Sequence, residues 1–328
     1  MRAAADCAAF YAALQRPLPV AFRVVGADAK SEHIRRSSET GLLIRQEVVS
    51  MLPVQLLSTV LPAGPLTLLD LCAAPGSKTS QLLELLSARP TADREESLVV
   101  ANDLSPSRVY MLLHRLRYLI QPCLLATRED SSAFPFLKQA DGTEVQFSGV
   151  IADVPCSGDG TYRKTARLGN TWRVLKAMKL HSTQLKIAKR AAALAKVGGH
   201  VLYSTCSLNP VENEAVIDAL VHLAEGALEV VKTQVEGFAH RSGLVRWPVM
   251  LEGKPYFDSK SVPPETQKLH NVPSTVFATG NPALANCLRF YPHDNDSGGF
   301  FCCLLRKKSA VPWEEAVRAA SANRMTEA

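Results

Sequence analysis

Two cysteines stand where packing alone would not put them. Asp153-Val154-Pro155-Cys156-Ser157-Gly158-Asp159-Gly160-Thr161 and Ser204-Thr205-Cys206-Ser207-Leu208-Asn209-Pro210 each set a thiol just past an apolar run, among small polar residues. A structural cysteine sits inside such a run, as Cys302 and Cys303 do. A thiol at a strand end is instead placed for covalent chemistry, because the thiolate is the reactive form and needs a polar, approachable setting. Asp153 heads the first of the two motifs and adds a carboxylate to the same strand end.

A third motif, Asp70-Leu71-Cys72-Ala73-Ala74-Pro75-Gly76-Ser77-Lys78-Thr79, reads as a strand that stops at a tight small-residue turn and enters a helix. Small side chains let a bulky cofactor approach the backbone, and amides at a helix start receive its polar end. A Walker phosphate loop would need Gly directly before Lys78, where Ser77 stands, and G-x-G-x-x-G is absent. Nucleotide hydrolysis and nicotinamide chemistry are therefore disfavoured. In Ala101-Asn102-Asp103 another apolar run ends in a carboxylate that can accept both hydroxyls of a ribose, or else cap the helix that follows at Ser105-Pro106. Its distance from Asp70 exceeds the usual spacing of about 20 residues; the polar stretch 87–97 reads as a surface insertion that accounts for the excess.

These motifs need a scaffold that brings strand ends together. Short apolar runs at 66–70, 98–103, 123–127, 150–153 and 200–204 alternate with helical periods at 78–86, 107–119, 182–195 and 211–224. That alternation predicts an α/β fold, a Rossmann-like doubly wound parallel sheet, whose ligands bind at the carboxyl ends of the strands. Residues 1–62 read as a small N-terminal α/β appendage: a helix around 10–14, a strand at 21–25 and a helix at 47–60. The catalytic domain is expected over 63–308, with a loop-rich insertion at 241–285, a terminal strand at 298–306, and a tail at 309–328 that turns helical at 313–323.

Of the 328 residues 47% are hydrophobic and 21% charged, an ordinary globular balance, and charged or polar residues interrupt every apolar run before the ~18 residues of a membrane span. Eight cysteines show no Cys-x-x-Cys pair, so neither zinc nor a disulfide framework is expected. A reduced compartment follows, nucleus or cytoplasm, with a short mitochondrial presequence as the alternative. The net charge of +6 is mild, but no acid occurs between Asp159 and Glu212, while Arg163, Lys164, Arg173, Lys176 and Lys179 are among ten cations there. Such a stretch attracts phosphate backbones, or else solvates a helix face.

The chain resembles the NSUN, or Sun-domain, family of RNA cytosine-5 methyltransferases, most of all its eukaryotic transfer-RNA-modifying branch. Five ordered motifs carry the resemblance: Arg45-Gln46-Glu47 with Ser50-Met51, the 72–79 loop, 153–161, 204–210, and Arg289 through Pro292-His293 to Gly298-Gly299-Phe300-Phe301. It implies S-adenosyl-L-methionine held by Cys72, Ala73, Ala74, Pro75, Gly76, Ser77 and Lys78, with Asp103 at the ribose, Asp130 on the adenine side and Asp153 between cofactor and base. It further implies Cys206 as nucleophile toward cytosine C6, Cys156 assisting release, an RNA partner with transfer RNA first among candidates, and a monomer without metal. Ser77 replaces a frequent second Gly, and the N- and C-terminal portions are shorter than in that branch. The alternatives are an inactive RNA-binding scaffold, a ribosomal RNA enzyme, or a DNA cytosine enzyme attacking through its Pro155-Cys156.

Overall fold

The computed structural model describes residues 2–24, 43–117, 119, 123–165 and 167–326. Along the chain run α1 (Arg2–Gln15), β1 (Phe22–Val24), β2 (Leu43–Arg45), α2 (Val48–Ser58), β3 (Thr67–Asp70), α3 (Ser77–Ser87), α4 (Thr91–Glu95), β4 (Leu98–Asn102), α5 (Pro106–Leu116), β5 (Leu124–Thr127), β6 (Phe147–Asp153), α6 (Leu168–Thr171), α7 (Val174–Leu194) and β7 (Ala195–Thr205). There follow α8 (Glu214–Leu223), β8 (Leu228–Val230), β9 (Arg241–Ser242), β10 (Val249–Leu251), β11 (Lys254–Tyr256), α9 (Pro264–His270), β12 (Leu288–Phe290), α10 (Pro292–Asn295), β13 (Phe300–Lys307) and α11 (Glu314–Thr326). The Rossmann-like α/β fold expected from the alternation of elements is the fold observed.

One sheet runs in the order β5-β4-β3-β6-β7-β13-β12-β9, with β8 against β13. The strands from β5 to β7 are mutually parallel, and β13 returns antiparallel to β7. The chain starts in the middle at β3, winds outward through β4 and β5, then crosses to β6 on the other side. A switch point therefore lies between β3 and β6, where the connections diverge and open a crevice. The loop after β3 and Asp153 at the end of β6 face each other across it.

Alternating strand residues split the core into two layers. Leu69, Val100, Val150, Val201 and Tyr203 pack with α7 and α8, while Leu68, Val99, Ile151 and Leu202 pack with α2, α3 and α5. Strands buried on both faces read as continuous apolar runs, which is why they were legible. Leu52, Leu56 and Leu57 of α2 join the second layer, so this helix of the expected appendage contributes to the main core.

Several elements differ from expectation. The helix read as 182–195 runs from Val174 to Leu194; His181 and Gln184 are fully buried in its inner face, and His181 breaks the apolar period ahead of residue 182. Both are hydrogen-bonded, His181 to Val211 O and Thr275 and Gln184 to Pro155 O and Glu212, which makes their burial tolerable. The expected helix at 211–224 starts only at Glu214, since residues 211–213 are spent on a turn. The loop-rich stretch 241–285 holds the β10–β11 hairpin and α9, anchored by buried Trp247, which donates to Val276 O. The polar insertion 87–97 contains α4, and α11 of the tail docks through Trp313, whose indole donates to Lys189 O. Val25 and Tyr118, at or near the ends of two expected elements, lie outside the described residues. Among the described residues no helix is long and apolar enough to cross a membrane.

Candidate active site

At the end of β3 the chain turns through Ala73-Ala74-Pro75 into Gly76, whose φ of 101° is one that glycine adopts without strain, and α3 begins on the next residue. The loop is tied down from three sides. Ala73 N donates to Asn102 O at 2.7 Å, Ala74 N to the Asp103 carboxylate at 3.2 Å, and Arg108 to Ala74 O at 2.8 Å. Asp103 is 3% exposed, also accepts from Ser105 N, and pairs with Arg108 at 3.2 Å, so it supports the loop. Asn102 spans β3, β4 and β5 through Leu71 O, Thr127 and Glu129.

Beneath the loop lies Asp70, whose Oδ2 accepts from Thr79 at 2.8 Å and whose buried Oδ1 has no partner. Burial pushes its carboxyl up to about 7. Burial likewise pushes the Cys72 thiol up to about 12, against a weak contact with Ser131, so Cys72 is a wall and not a nucleophile. Asp130 is set apart from this cluster: it is exposed, and its carboxylate accepts from Ser132 N and Oγ, both at 2.8 Å.

Across the crevice the ends of β6 and β7 bring together Asp153 and the two cysteines singled out in the sequence. Lys78 reaches from α3 to Asp153 Oδ2 at 2.6 Å and to Ser50 Oγ at 3.0 Å, while Ser204 donates to Asp153 Oδ1 at 2.8 Å. Burial opposes the Lys78 ammonium, but the charge and hydrogen bond of Asp153 outweigh it and hold the group above its ordinary pKa. The ion pair thus joins the start of α3, after the β3 loop, to the β6 end. Cys156 Sγ and Cys206 Sγ lie 3.1 Å apart, both thiols free. The hydrogen bond with Cys206, then burial, raises Cys156 well above the ordinary thiol value.

A buried carboxylate that in the sequence marks only the end of the acid-free stretch holds both cysteine loops. Glu212, fully buried, accepts from Ser157 N at 2.7 Å, from Ser157 Oγ, from Ser207 Oγ at 2.9 Å and from Gln184 at 3.1 Å. Ser157 follows Cys156 and Ser207 follows Cys206, so one side chain sets the distance between the thiols. Asp159 adds a second clamp by accepting from Leu208 N. Buried Arg289 pairs with Glu214 at 2.5 Å and donates to Leu208 O at 2.8 Å. The only signal for Glu212 was a charge near the start of an expected helix, a pattern that a solvated helix end would also give.

Glycines close the site. A Cβ on Gly160 would sit 2.3 Å from Gly299 O and 2.7 Å from Cys206 O, and one on Gly298 would sit 2.0 Å from Glu47 Oε1. These contacts let the start of β13 lie against the Cys206 loop, and Glu47 receives Gly298 N at 2.7 Å. The widely separated motifs at 45–51, 153–161, 204–210 and 298–301 therefore meet.

The basic stretch is divided. Lys164, Arg173, Lys176 and Lys179 are exposed. Arg163 is not: its side chain is 1% exposed and donates to Arg16 O, Pro17 O, Ser297 O and Asp296. It fastens the N-terminal segment to the β13 entry and leaves no open cation for a phosphate. The start of α7 abuts the site, since Trp172 donates to Ser157 Oγ at 2.8 Å. Asp6, His293 and Asp294 form a group of metal-ligand type, but the Arg241 guanidinium donates to all three at 2.6–2.8 Å and supplies the positive charge itself.

The family model described as 16S rRNA methyltransferase RsmB/F matches residues 59–306. The chain belongs to the RsmB/F family. Its relatives include a tRNA (cytosine(34)-C(5))-methyltransferase of Drosophila melanogaster, 41% identical over 84% of this chain and 38% of that protein. Another, the multisite-specific tRNA:(cytosine-C(5))-methyltransferase trm4b of Schizosaccharomyces pombe, is 35% identical over 87% of this chain and 47% of its own length. The chain thus spans less than half the length of these two relatives. The crystal structure of a methyltransferase homolog from Pyrococcus horikoshii superposes with a TM-score of 0.61 at 21% identity, over 91% of this chain and 90% of that one, and shares this fold.

Proposed function

We propose that this RsmB/F chain methylates C5 of cytosine in RNA, with transfer RNA as the favoured substrate. The observation that carries the reading is the pair of thiols 3.1 Å apart beside the Lys78–Asp153 ion pair, at the carboxyl ends of two adjacent parallel strands. The tRNA cytosine-C5 activity named for relatives at 35–41% identity supports the choice of RNA. The family description, 16S rRNA methyltransferase, supports ribosomal RNA as the second reading.

The residues fit the methyl donor, S-adenosyl-L-methionine: small side chains from Ala73 to Ser77, an unpartnered buried oxygen on Asp70, the Asp103 carboxylate, and Asp130 farther out on the adenine side. When bound, it supplies a methyl group on a sulfonium, an electrophile that cytosine C5 accepts only after its ring has lost aromaticity. Cys206 provides that loss by bonding to C6 as the thiolate, which makes C5 enamine-like. Asp153, oriented by Lys78 and Ser204, offers a remaining lone pair to the N4 amino group, a donor that uracil lacks at that position, which selects cytosine. Once C5 carries the methyl group, a base takes the C5 proton, the electron pair returns to the ring and Cys206 leaves C6 as the thiolate; Cys156, its Sγ 3.1 Å from Cys206 Sγ, is placed to assist that release. The base must be unstacked to reach these groups.

Lys164, Arg173, Lys176 and Lys179 near α6 and α7, with α1 and the β1–β2 pair, form the RNA-facing rim of this reading. No bond made or broken calls for a metal, and a monomer in the nucleus or cytoplasm suffices. Incubation with methyl-labelled cofactor and separated pools of transfer RNA, ribosomal RNA and DNA tests it. Label is expected in 5-methylcytosine of transfer RNA. Label confined to ribosomal RNA favours the second reading, label in DNA the Pro155-Cys156 alternative, and RNA binding without label an inactive scaffold.

A further inference from the structure

On the far side of the cofactor loop, helix α5 presents a face that the catalytic reading leaves unused. Tyr110, Met111, His114 and Arg115 line a cavity of about 390 Å³ together with Pro75 of the loop itself. Tyr110 is 71% exposed and Met111 51%. The Tyr110 ring stacks on the His114 imidazole with centroids 6.4 Å apart and planes inclined by 27°. A large aromatic and a methionine left together in water at the rim of a cavity mark a surface that receives something.

Charge identifies the occupant. Residues 104–128 contain Arg108, Arg115, Arg117 and Arg128 and no acid, a second acid-free stretch. The cations beside the cavity are held: Arg115 donates to Arg45 O at 2.6 Å, Arg117 to His114 at 2.7 Å, and Arg108 is fixed to Ala74 O and Asp103. A second copy of the chain would bring the same cations face to face. A nucleotide offers the complement, a flat apolar base for the ring stack and a phosphate for the arginines, and stacking on an aromatic side chain accepts any base.

We propose that this cavity takes an unpaired nucleotide of the RNA substrate outside the target cytosine, its base stacked on Tyr110 and its phosphate beside Arg115. The inference rests on the reading of the chain as an RNA methyltransferase. The placement against Pro75 couples it to the site, because α5 also supports the loop: Leu112 and Leu116 lie 3.5–3.6 Å from where a Cβ on Gly76 would stand. The RNA on this side would press on the element that holds the cofactor.

Filter binding of a full-length transfer RNA transcript to the intact chain, with Tyr110→Ala and Tyr110→Phe beside the parent, tests the proposal. Tyr110→Ala should weaken RNA affinity about tenfold, in the range known for single base–aromatic stacks, and Tyr110→Phe, which keeps the ring, should stay within about twofold. Calorimetric cofactor affinity and the melting temperature should be the same in all three. Equal RNA affinity for the parent and Tyr110→Ala overturns the proposal, as does a dimer in the parent that Tyr110→Ala dissociates. Methyl transfer by the parent is scored separately: an inactive parent sinks the catalytic reading, while the affinity ratio still decides the role of Tyr110.

Discussion

Cys156 Sγ and Cys206 Sγ lie 3.1 Å apart although 50 residues separate them in the chain. Each ends a different strand, and β6 and β7 are parallel neighbours with Asp153 opposite Ser204. The pairing of strands brings the thiols to one edge, and Glu212 sets them against each other.

That geometry predicts two different failures. Cys206→Ala should abolish methyl transfer and leave no covalent RNA complex. Cys156→Ala should permit the methyl step but stall release, giving a denaturant-resistant RNA–protein band that needs both cofactor and RNA. Gel analysis after incubation with transfer RNA separates the cases; a band in Cys206→Ala and none in Cys156→Ala would reverse the two roles.

Glu212→Gln should lower stability and activity together. The substitution removes the charge that four donors share and turns an amide donor toward at least one of them, and hydrogen bonds to a buried charge are worth roughly 1.5–3 kcal/mol each. Denaturant unfolding is expected to show a loss of about 2–4 kcal/mol, with single-turnover methyl transfer falling at saturating RNA. If both measurements match the parent, Glu212 does not position the cysteines.

Reversing the exposed charges Arg173, Lys176 and Lys179 to Glu should weaken RNA binding and reduce the slope of log K against log salt by about 0.7–0.9 for each phosphate that is no longer neutralised. Arg163→Ala, by contrast, should act on stability, because its guanidinium is already spent on Arg16 O, Pro17 O, Ser297 O and Asp296. Unchanged salt slopes in the triple variant would assign these residues to the solvation of a helix.

Asp70 predicts a pH dependence for the protein without added cofactor. In the folded chain its carboxyl keeps the proton up to about 7, against 3.8 as the ordinary value, so the folded state binds more protons between these limits. Stability contributed by this group is therefore complete below about pH 4 and falls as pH rises toward 7, with a slope of at most about 1.4 kcal/mol per unit. Asp70→Asn should remove that slope, making the variant more stable relative to the parent at pH 8 than at pH 5. Parallel melting curves at the two values would show that Asp70 is ionised throughout.

The parallel strands were legible because burial on both faces writes them as unbroken apolar runs, and the turn at Gly76 because small residues there leave few readings. The cysteines stood out as thiols beyond such runs, and the ordered motifs sufficed for the family. Sequence determined which groups exist and that they close strands of one sheet. Only the tertiary structure decided which of them act together, because strand order and long side-chain reach are not periodic signals. Glu212 looked like a charge at a helix start and is the buried clamp between two loops; Arg163 looked like a cation for RNA and is folded inward. The start of α7 was hidden for the same reason: His181 is a polar letter whose burial is tolerated because Val211 O and Thr275, from distant segments, pair with both ring nitrogens. A local pattern records the polarity of a residue, whereas its partners are supplied by the fold.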